Sequence, residues 1–398
     1  MKKLLMASAA TLALTGAASA EDVKLGILIG FTGPIESLTS HMANAAEAAM
    51  AEVNASGKSA HNFVSVRGDS TCVDSAAATS AAERMVTAEG VKGIIGGDCS
   101  GVTGAVLQNV ARPNGIVMVS PSATSPALTT AEDDGLFFRT APSDAREGEV
   151  MGEILKEKGV TSIALTYSNS DYGKGLAEAI AAGFARQGGT VTINIPHEDG
   201  KADYSAEVAS LAAAGGDLLV VAGYLDQGGK GIIQASLDSG AFSQFGLPGG
   251  MVGDSLPAAI GPALDGSYGQ VAQSDSPGAA ILTEMGKAAA TPFDATSPYT
   301  MESYDAAALI MLAMHAAGST DSKVYAGKIL EIANGPADGS GVKIMPGELG
   351  KALELIAAGT AIDYDGASGV TLIGPGESAG RYKQFEIKGG VYETVQFR

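Results

Sequence analysis

Between Gly96 and Pro126 the chain reads GGDCSGVTGAVLQNVARPNGIVMVSPSATSP, and its chemistry lies in hydroxyls at two places. Ser100 follows Cys99 and precedes a helix-forming run. Ser122, Ala123 and Thr124 stand in a turn after the apolar segment Ile116–Val119. A hydroxyl with the amides that follow it at a helix start can hold an anion, because the first turn carries unpaired donors and positive partial charge. A second hydroxyl-rich turn beside it would complete a wall for a carboxylate. The same residues can instead cap the helix and close the turn, and residue type leaves both readings open. Later in the chain, Tyr172 and Tyr224 each lie just past an apolar segment, where an aromatic ring can cover a ligand or pack on a strand. Asp226 and Asp254 are loop carboxylates that can receive an ammonium group or simply meet solvent.

Catalytic patterns are missing. The histidines His41, His61, His197 and His315 are far apart, and none has the spacing of a metal-ligand pair. There is no G-x-S-x-G turn to carry a serine nucleophile. The run Gly223–Gly231 (GYLDQGGKG) lacks the Gly-Lys-Ser/Thr register of a phosphate loop, and no G-x-G-x-x-G opens the first helix. An enzyme is not excluded by these absences, but nothing argues for one, and neither a cofactor nor a metal is expected.

These residues need a scaffold, and the chain supplies an alternation of strands and helices. Apolar segments at Val23–Ile29, Phe63–Arg67, Val91–Ile95 and Ile116–Val119 are separated by helix-length stretches, the pattern of βαβ units and a parallel sheet. Loops after such strands gather at one sheet edge, where open α/β sheets bind ligands. After Phe137–Thr140 and a capped helix at Ala145–Lys158, the alternation restarts with Ser162–Tyr167, Val191–Ile195 and Leu218–Val221. Two series predict two sheets. Beyond Gly266 the pattern weakens, as it would if the chain passed between domains more than once to make a hinge and a cleft.

The first residues form a leader: Lys2 and Lys3, the apolar run Leu4–Leu14, then Ala18-Ser19-Ala20 before Glu21. This is the layout of a secretory signal peptide cleaved after Ala20, and the run is too short to span a bilayer. Removing two lysines from 25 basic residues against 44 acidic ones leaves a formal charge of −21, which argues against nucleic acid and anionic membrane surfaces as partners. Two cysteines, Cys72 and Cys99, remain in the exported part. An oxidising compartment favours pairing them, although two free thiols stay an alternative at this point.

Taken in order, KLGILIGFTGP, the pair STC and DCS, SPSATSPAL, FRTAPSD, SDYGKGLAEA and AGY resemble the type I periplasmic binding proteins of the branched-chain amino acid group, over essentially the whole mature chain. These are substrate receptors of ABC importers. The resemblance implies an α/β fold of two Rossmann-like parallel-sheet lobes joined by a multi-strand hinge, closing like a flytrap. It implies a leader at 1–20, a first lobe from 21–141 plus 271–362, and a second from 142–270 plus 363–398. It implies a Cys72–Cys99 disulfide, a carboxylate site at Ser100, Ser122, Ala123 and Thr124, and aromatic cover from Tyr172, Tyr224 and Tyr299. Two positions depart from the family pattern. The glutamate that receives the ammonium falls on Gly249, and the aromatic of the first loop falls on Leu38. Asp254, Asp226 or Glu36 are the candidates to replace the missing charge.

The expected protein is thus a monomeric periplasmic receptor that captures an amino acid or related small carboxylate and delivers it to a membrane permease. Two other readings are a secreted α/β hydrolase, against which the scattered histidines argue, and a ligand sensor that docks on a membrane receptor.

Overall fold

Strand formation follows the apolar runs. In chain order the strands are β1 (Glu21–Ile29), β2 (His61–Asp69), β3 (Ile94–Gly96), β4 (Met118–Ser120), β5 (Phe137–Pro142), β6 (Ser162–Ser168), β7 (Thr190–His197) and β8 (Leu218–Ala222). They continue as β9 (Phe245–Leu247), β10 (Tyr268–Ala272), β11 (Val342–Ile344), β12 (Ile362–Tyr364), β13 (Leu372–Ile373), β14 (Glu377–Ser378), β15 (Tyr382–Lys388) and β16 (Val391–Phe397). The computed structural model describes residues 20–398; apart from Ala20, the expected leader lies outside them.

Two seven-stranded sheets result, one in the order β13-β14-β5-β4-β3-β1-β2 and the other β16-β15-β10-β9-β8-β6-β7. The central strands pair in parallel: β1 runs in register with β2 from Glu21 opposite His61 to Ile29 opposite Asp69. Their residues are apolar on both faces, as a strand covered on both sides requires, and Leu25, Leu28, Leu165, Leu219 and Val220 are fully buried. Antiparallel pairing appears only at the edges, in β13–β14, β10–β15 and β15–β16.

The chain passes between the sheets three times: after β5, after β10 and between β14 and β15. The last crossing corrects the expected lobe boundaries. The resemblance implies that residues 363–398 lie wholly in the second lobe, but β14 pairs with β5, and β13 with β14, in the first sheet. A two-residue strand has no periodicity to read. What places it is remote: the Glu377 carboxylate receives a 2.5 Å hydrogen bond from the buried Arg139 guanidinium of β5. β9, β11, β12 and β14 also escape sequence reading because each is only two or three residues long.

The alanine-rich helix Glu36–Ser56 lies against Thr300–Ala317, the most deeply buried helix of the first lobe. Ala43, Ala45, Ala46 and Ala49 are fully buried on its inner face, where small side chains let the two backbones approach. In the second lobe the helices Asp144–Glu157 and Asp171–Arg186 touch backbone to backbone. A Cβ on Gly148 would lie 2.3 Å from the carbonyl carbon of Ala179, and one on Gly183 only 2.1 Å from the Gly148 oxygen. This contact fixes the start of the helix Asp144–Glu157 against the second sheet.

Candidate interlobe binding site

The parallel strands deliver their following loops to one place. The loop after β2 carries Cys72 and that after β3 carries Cys99, and the two are joined as a disulfide. Asp98, in the second of these loops, ties it to the first and to the residue that follows β1. Its carboxylate accepts 2.6 Å hydrogen bonds from the Gly30 amide and the Ser70 hydroxyl. Burial pushes the Asp98 carboxyl up, and these hydrogen bonds pull against it.

Ser100 begins a helical run that continues to Asn114. The residue capping it is Cys99, which makes no side-chain bond to the first turn, so no side chain satisfies the donors there. The Ser100 hydroxyl accepts from the Ser125 amide at 3.0 Å and keeps its own proton to donate. The neighbouring turn is held more tightly. Ser122 donates its hydroxyl to the Asp98 carbonyl at 3.0 Å. The Ala123 amide donates to the Ser120 hydroxyl at 2.9 Å, and its carbonyl accepts from Arg139 at 3.1 Å. Ala123 therefore serves the turn with both backbone groups, and Ser122 presents acceptor lone pairs rather than a proton. Thr124 is buried, and its hydroxyl has no hydrogen-bond partner among the described residues.

Across the cleft, Tyr172 and Tyr224 stack with ring centroids 5.0 Å apart. Tyr299 reaches in from the link before the helix Thr300–Ala317, with its backbone at φ 62°, a left-handed value that costs a non-glycine residue roughly 1 kcal/mol or more. Ser100, Ser122, Tyr172, Tyr224 and Tyr299 thus line one interlobe cavity, with Leu38, Ile35 and Asp98 completing its first-lobe wall. Its volume is about 20 Å³, close to what one water needs, so the lobes are closed. Leu38 stands in this wall where an aromatic was expected.

The expected ammonium partners lie elsewhere. Asp254 is exposed and lines a separate cavity of about 300 Å³ with His41, Lys383 and Tyr392. Asp226 bridges the lobes: its carboxylate accepts from the Ser37 amide at 3.1 Å and from the Ser255 hydroxyl at 2.6 Å, while its amide donates to the Pro34 carbonyl at 3.0 Å. Glu36 is exposed at a helix start.

What sequence reading missed is a pair of buried carboxyls on the helix Asp144–Glu157. Glu147 accepts from the Gly249 amide at 2.7 Å and from Gln270 at 3.3 Å. Asp144 is fully buried, neither of its oxygens has a partner among the described residues, and its amide donates to the Thr124 carbonyl at 2.8 Å. Burial drives the Glu147 carboxyl up to about 7, against hydrogen bonds from Gly249 and Gln270. Asp144 is raised well above the usual carboxylate range by burial and by the Glu147 charge, with Thr124 and Arg139 opposing. A Cβ at Gly249 would meet the Tyr299 hydroxyl at 2.8 Å, so that ring would have to shift, and would stand in ordinary contact with Glu147 Oε1 at 3.4 Å. The signal was legible as two acids three apart at the start of a helix, which share one face.

A model of the periplasmic binding proteins matches residues 22–330. The chain belongs to the periplasmic binding protein family. A Leu/Ile/Val-binding protein homolog of Brucella melitensis is 32% identical to this binding protein over 327 residues, 81% of the chain and 85% of the relative. The fold is shared with the branched-chain amino acid transporter substrate-binding protein LivJ of Streptococcus pneumoniae, solved with isoleucine (TM-score 0.75, 18% identity, 95% and 99% of the two chains). It is shared equally with a solute-binding protein of an ABC transporter from R. palustris, solved with 4-hydroxybenzoate (TM-score 0.75, 18% identity, 95% and 97%). Membership of this family makes the protein a binding protein and not an enzyme. Among its described residues no helix is long and apolar enough to cross a membrane.

Proposed function

We propose that this protein is the periplasmic solute-binding component of an ABC importer, holding a small carboxylate-bearing ligand between its lobes and presenting it to a membrane permease. The observation that carries this reading is the helix start at Ser100, with no side-chain cap and a hydroxyl proton to spare, in the wall of a closed interlobe cavity. A ligand carboxylate there would take up donors that otherwise go unpaired, at the end of the helix where positive partial charge favours it. The stacked rings of Tyr172 and Tyr224 would cover it from the other lobe and exclude water, which strengthens each hydrogen bond in the site. The amino-acid and aromatic-acid ligands in the names of its relatives have a carboxylate in common.

The test is a thermal-shift screen of ligand-free protein against amino acids and aromatic acids, followed by calorimetry on Ser100→Ala. A ligand at a hundred times its dissociation constant adds about 2.7 kcal/mol of stability. Loss of the Ser100 hydroxyl should weaken every carboxylate ligand about tenfold, the worth of one hydrogen bond to a charged group. Unchanged affinity in Ser100→Ala would place the carboxylate somewhere else.

A further inference from the structure

The wall that faces the expected carboxylate holder contains no positive charge. Among the described residues lining the cavity there is no lysine, arginine or histidine. The Arg139 guanidinium, whose charge acts on Asp144, is spent on the carbonyls of Ala123 and Ser125, the Thr129 hydroxyl and Glu377. The acids are concentrated instead: Asp98 in the wall, Asp144 tied by its amide to the Ser122–Thr124 turn, and Glu147 on the Gly249 amide. Three unpartnered polar groups mark this corner: both oxygens of Asp144, the Thr124 hydroxyl and the Tyr382 hydroxyl, all at least nine-tenths buried. Two neighbouring buried carboxyls cannot both ionise unless a proton or a cation stands with them.

We propose that Glu147 and Asp144 are the cation-holding half of the binding site, supplied by the helix Asp144–Glu157 in place of the carboxylate that position 249 lacks, and that the ligand is an amino acid or other ammonium-bearing carboxylate rather than a plain carboxylic acid.

The substitution is sterically reciprocal. With glycine at 249 the Tyr299 hydroxyl takes space a side chain there would need, Glu147 stands beside it, and the Gly249 amide orients Glu147. A zwitterion would set its carboxylate at Ser100 and its ammonium toward Thr124, Asp144 and Glu147, replacing the proton that the empty pair retains. A plain carboxylate would bring a further negative charge beside Asp98, Asp144 and Glu147 with nothing to offset it. The groups packed around the pair are Tyr172, Tyr224, Tyr299 and Tyr382, all held neutral by burial, together with Gln270 and Arg139.

This inference rests on the interlobe site proposed above and is separable from it. Ligand-free wild type, Glu147→Gln and Asp144→Asn are titrated calorimetrically with pairs that differ only in the amine: valine and isovalerate, alanine and propionate, phenylalanine and 3-phenylpropionate. 4-Hydroxybenzoate completes the set. Circular dichroism and thermal melting establish that each variant is folded. Valine, alanine or phenylalanine should bind at least tenfold tighter than its amine-free counterpart, and Glu147→Gln should erase that advantage while leaving the amine-free acids unweakened. Asp144→Asn should act in the same direction. If an amine-free acid or 4-hydroxybenzoate binds as tightly as the amines, or if the advantage survives in Glu147→Gln, the cation assignment is overturned while the interlobe receptor stands. If no compound in the set binds wild type, both readings fail.

Discussion

Replacing both Cys72 and Cys99 by alanine should lower stability without altering the fold, and the size of the loss follows from the loop they close. The half-cystines are 27 residues apart, which in the chain-entropy model corresponds to about 3.5 kcal/mol at 25 °C. Part of this is returned. Thr71 and Cys72 are held at φ 58° and 68°, and letting that turn relax recovers on the order of 1 kcal/mol. The net loss is then about 2–3 kcal/mol, and with a urea slope near 3 kcal/mol/M the midpoint of ligand-free protein should fall by roughly 1 M. Urea titrations followed by far-UV circular dichroism, on wild type, the double variant and wild type with reductant, measure it directly. The reduced wild type should coincide with the double variant. Asp98 offers the competing account, because its hydrogen bond from Ser70 already ties the loop after β3 to the loop after β2. A midpoint that moves by less than about 0.2 M would show that this carboxylate alone holds them, and the entropy argument would be refuted.

Ligand affinity should depend on pH through Glu147, whose carboxyl sits near 7 because it is buried. The ionised form is the one that receives an ammonium, so affinity rises with pH, about tenfold from pH 6 to pH 8, and calorimetry on Glu147→Gln should give a flat profile. Glu302 bears on stability instead: burial raises its carboxyl to about 8, so between about 4.5 and 8 the folded chain keeps a proton that the unfolded chain has lost, and stability falls as pH rises. Glu302→Gln should therefore melt higher than wild type at pH 8.5, and the difference should shrink toward pH 5. Asp226→Ala removes two side-chain contacts, one of them across the lobes to the Ser37 amide, and should weaken ligand binding several-fold at nearly unchanged stability; X-ray scattering should report a more open ligand-free protein. Gly183→Ala puts a Cβ into the Gly148 carbonyl, and should cost about 1–3 kcal/mol in thermal unfolding while shifting Glu147 enough to weaken amine ligands before acids.

Much of this molecule is written locally. The βαβ alternation, the break between two series and the clustering of hydroxyls at Ser100 and Ser122–Thr124 need only hydrophobic period and turn chemistry, which act over a few residues; compartment favours a Cys72–Cys99 pair, and the fold joins it. Tertiary structure decided the rest. Which sheet Glu377–Ser378 joins depends on Arg139, more than two hundred residues earlier, and no local pattern encodes that pairing. Ser122 and Ala123 read as ligand donors but turn their groups to Asp98, Ser120 and Arg139, because a turn between parallel strands must satisfy its own buried polar atoms first. The sequence offers Asp254, Asp226 and Glu36 in place of the charge missing at Gly249, and none of them lines the interlobe cavity. The acid that the fold brings to the Gly249 amide, Glu147, stands on an earlier helix, packed through Gly148 against Ala179 and Gly183. The sequence alone marked the helix start at Ser100, since a helix start is a local property. The opposite wall exists only where separate segments converge, and only the folded chain could say which acid stands there.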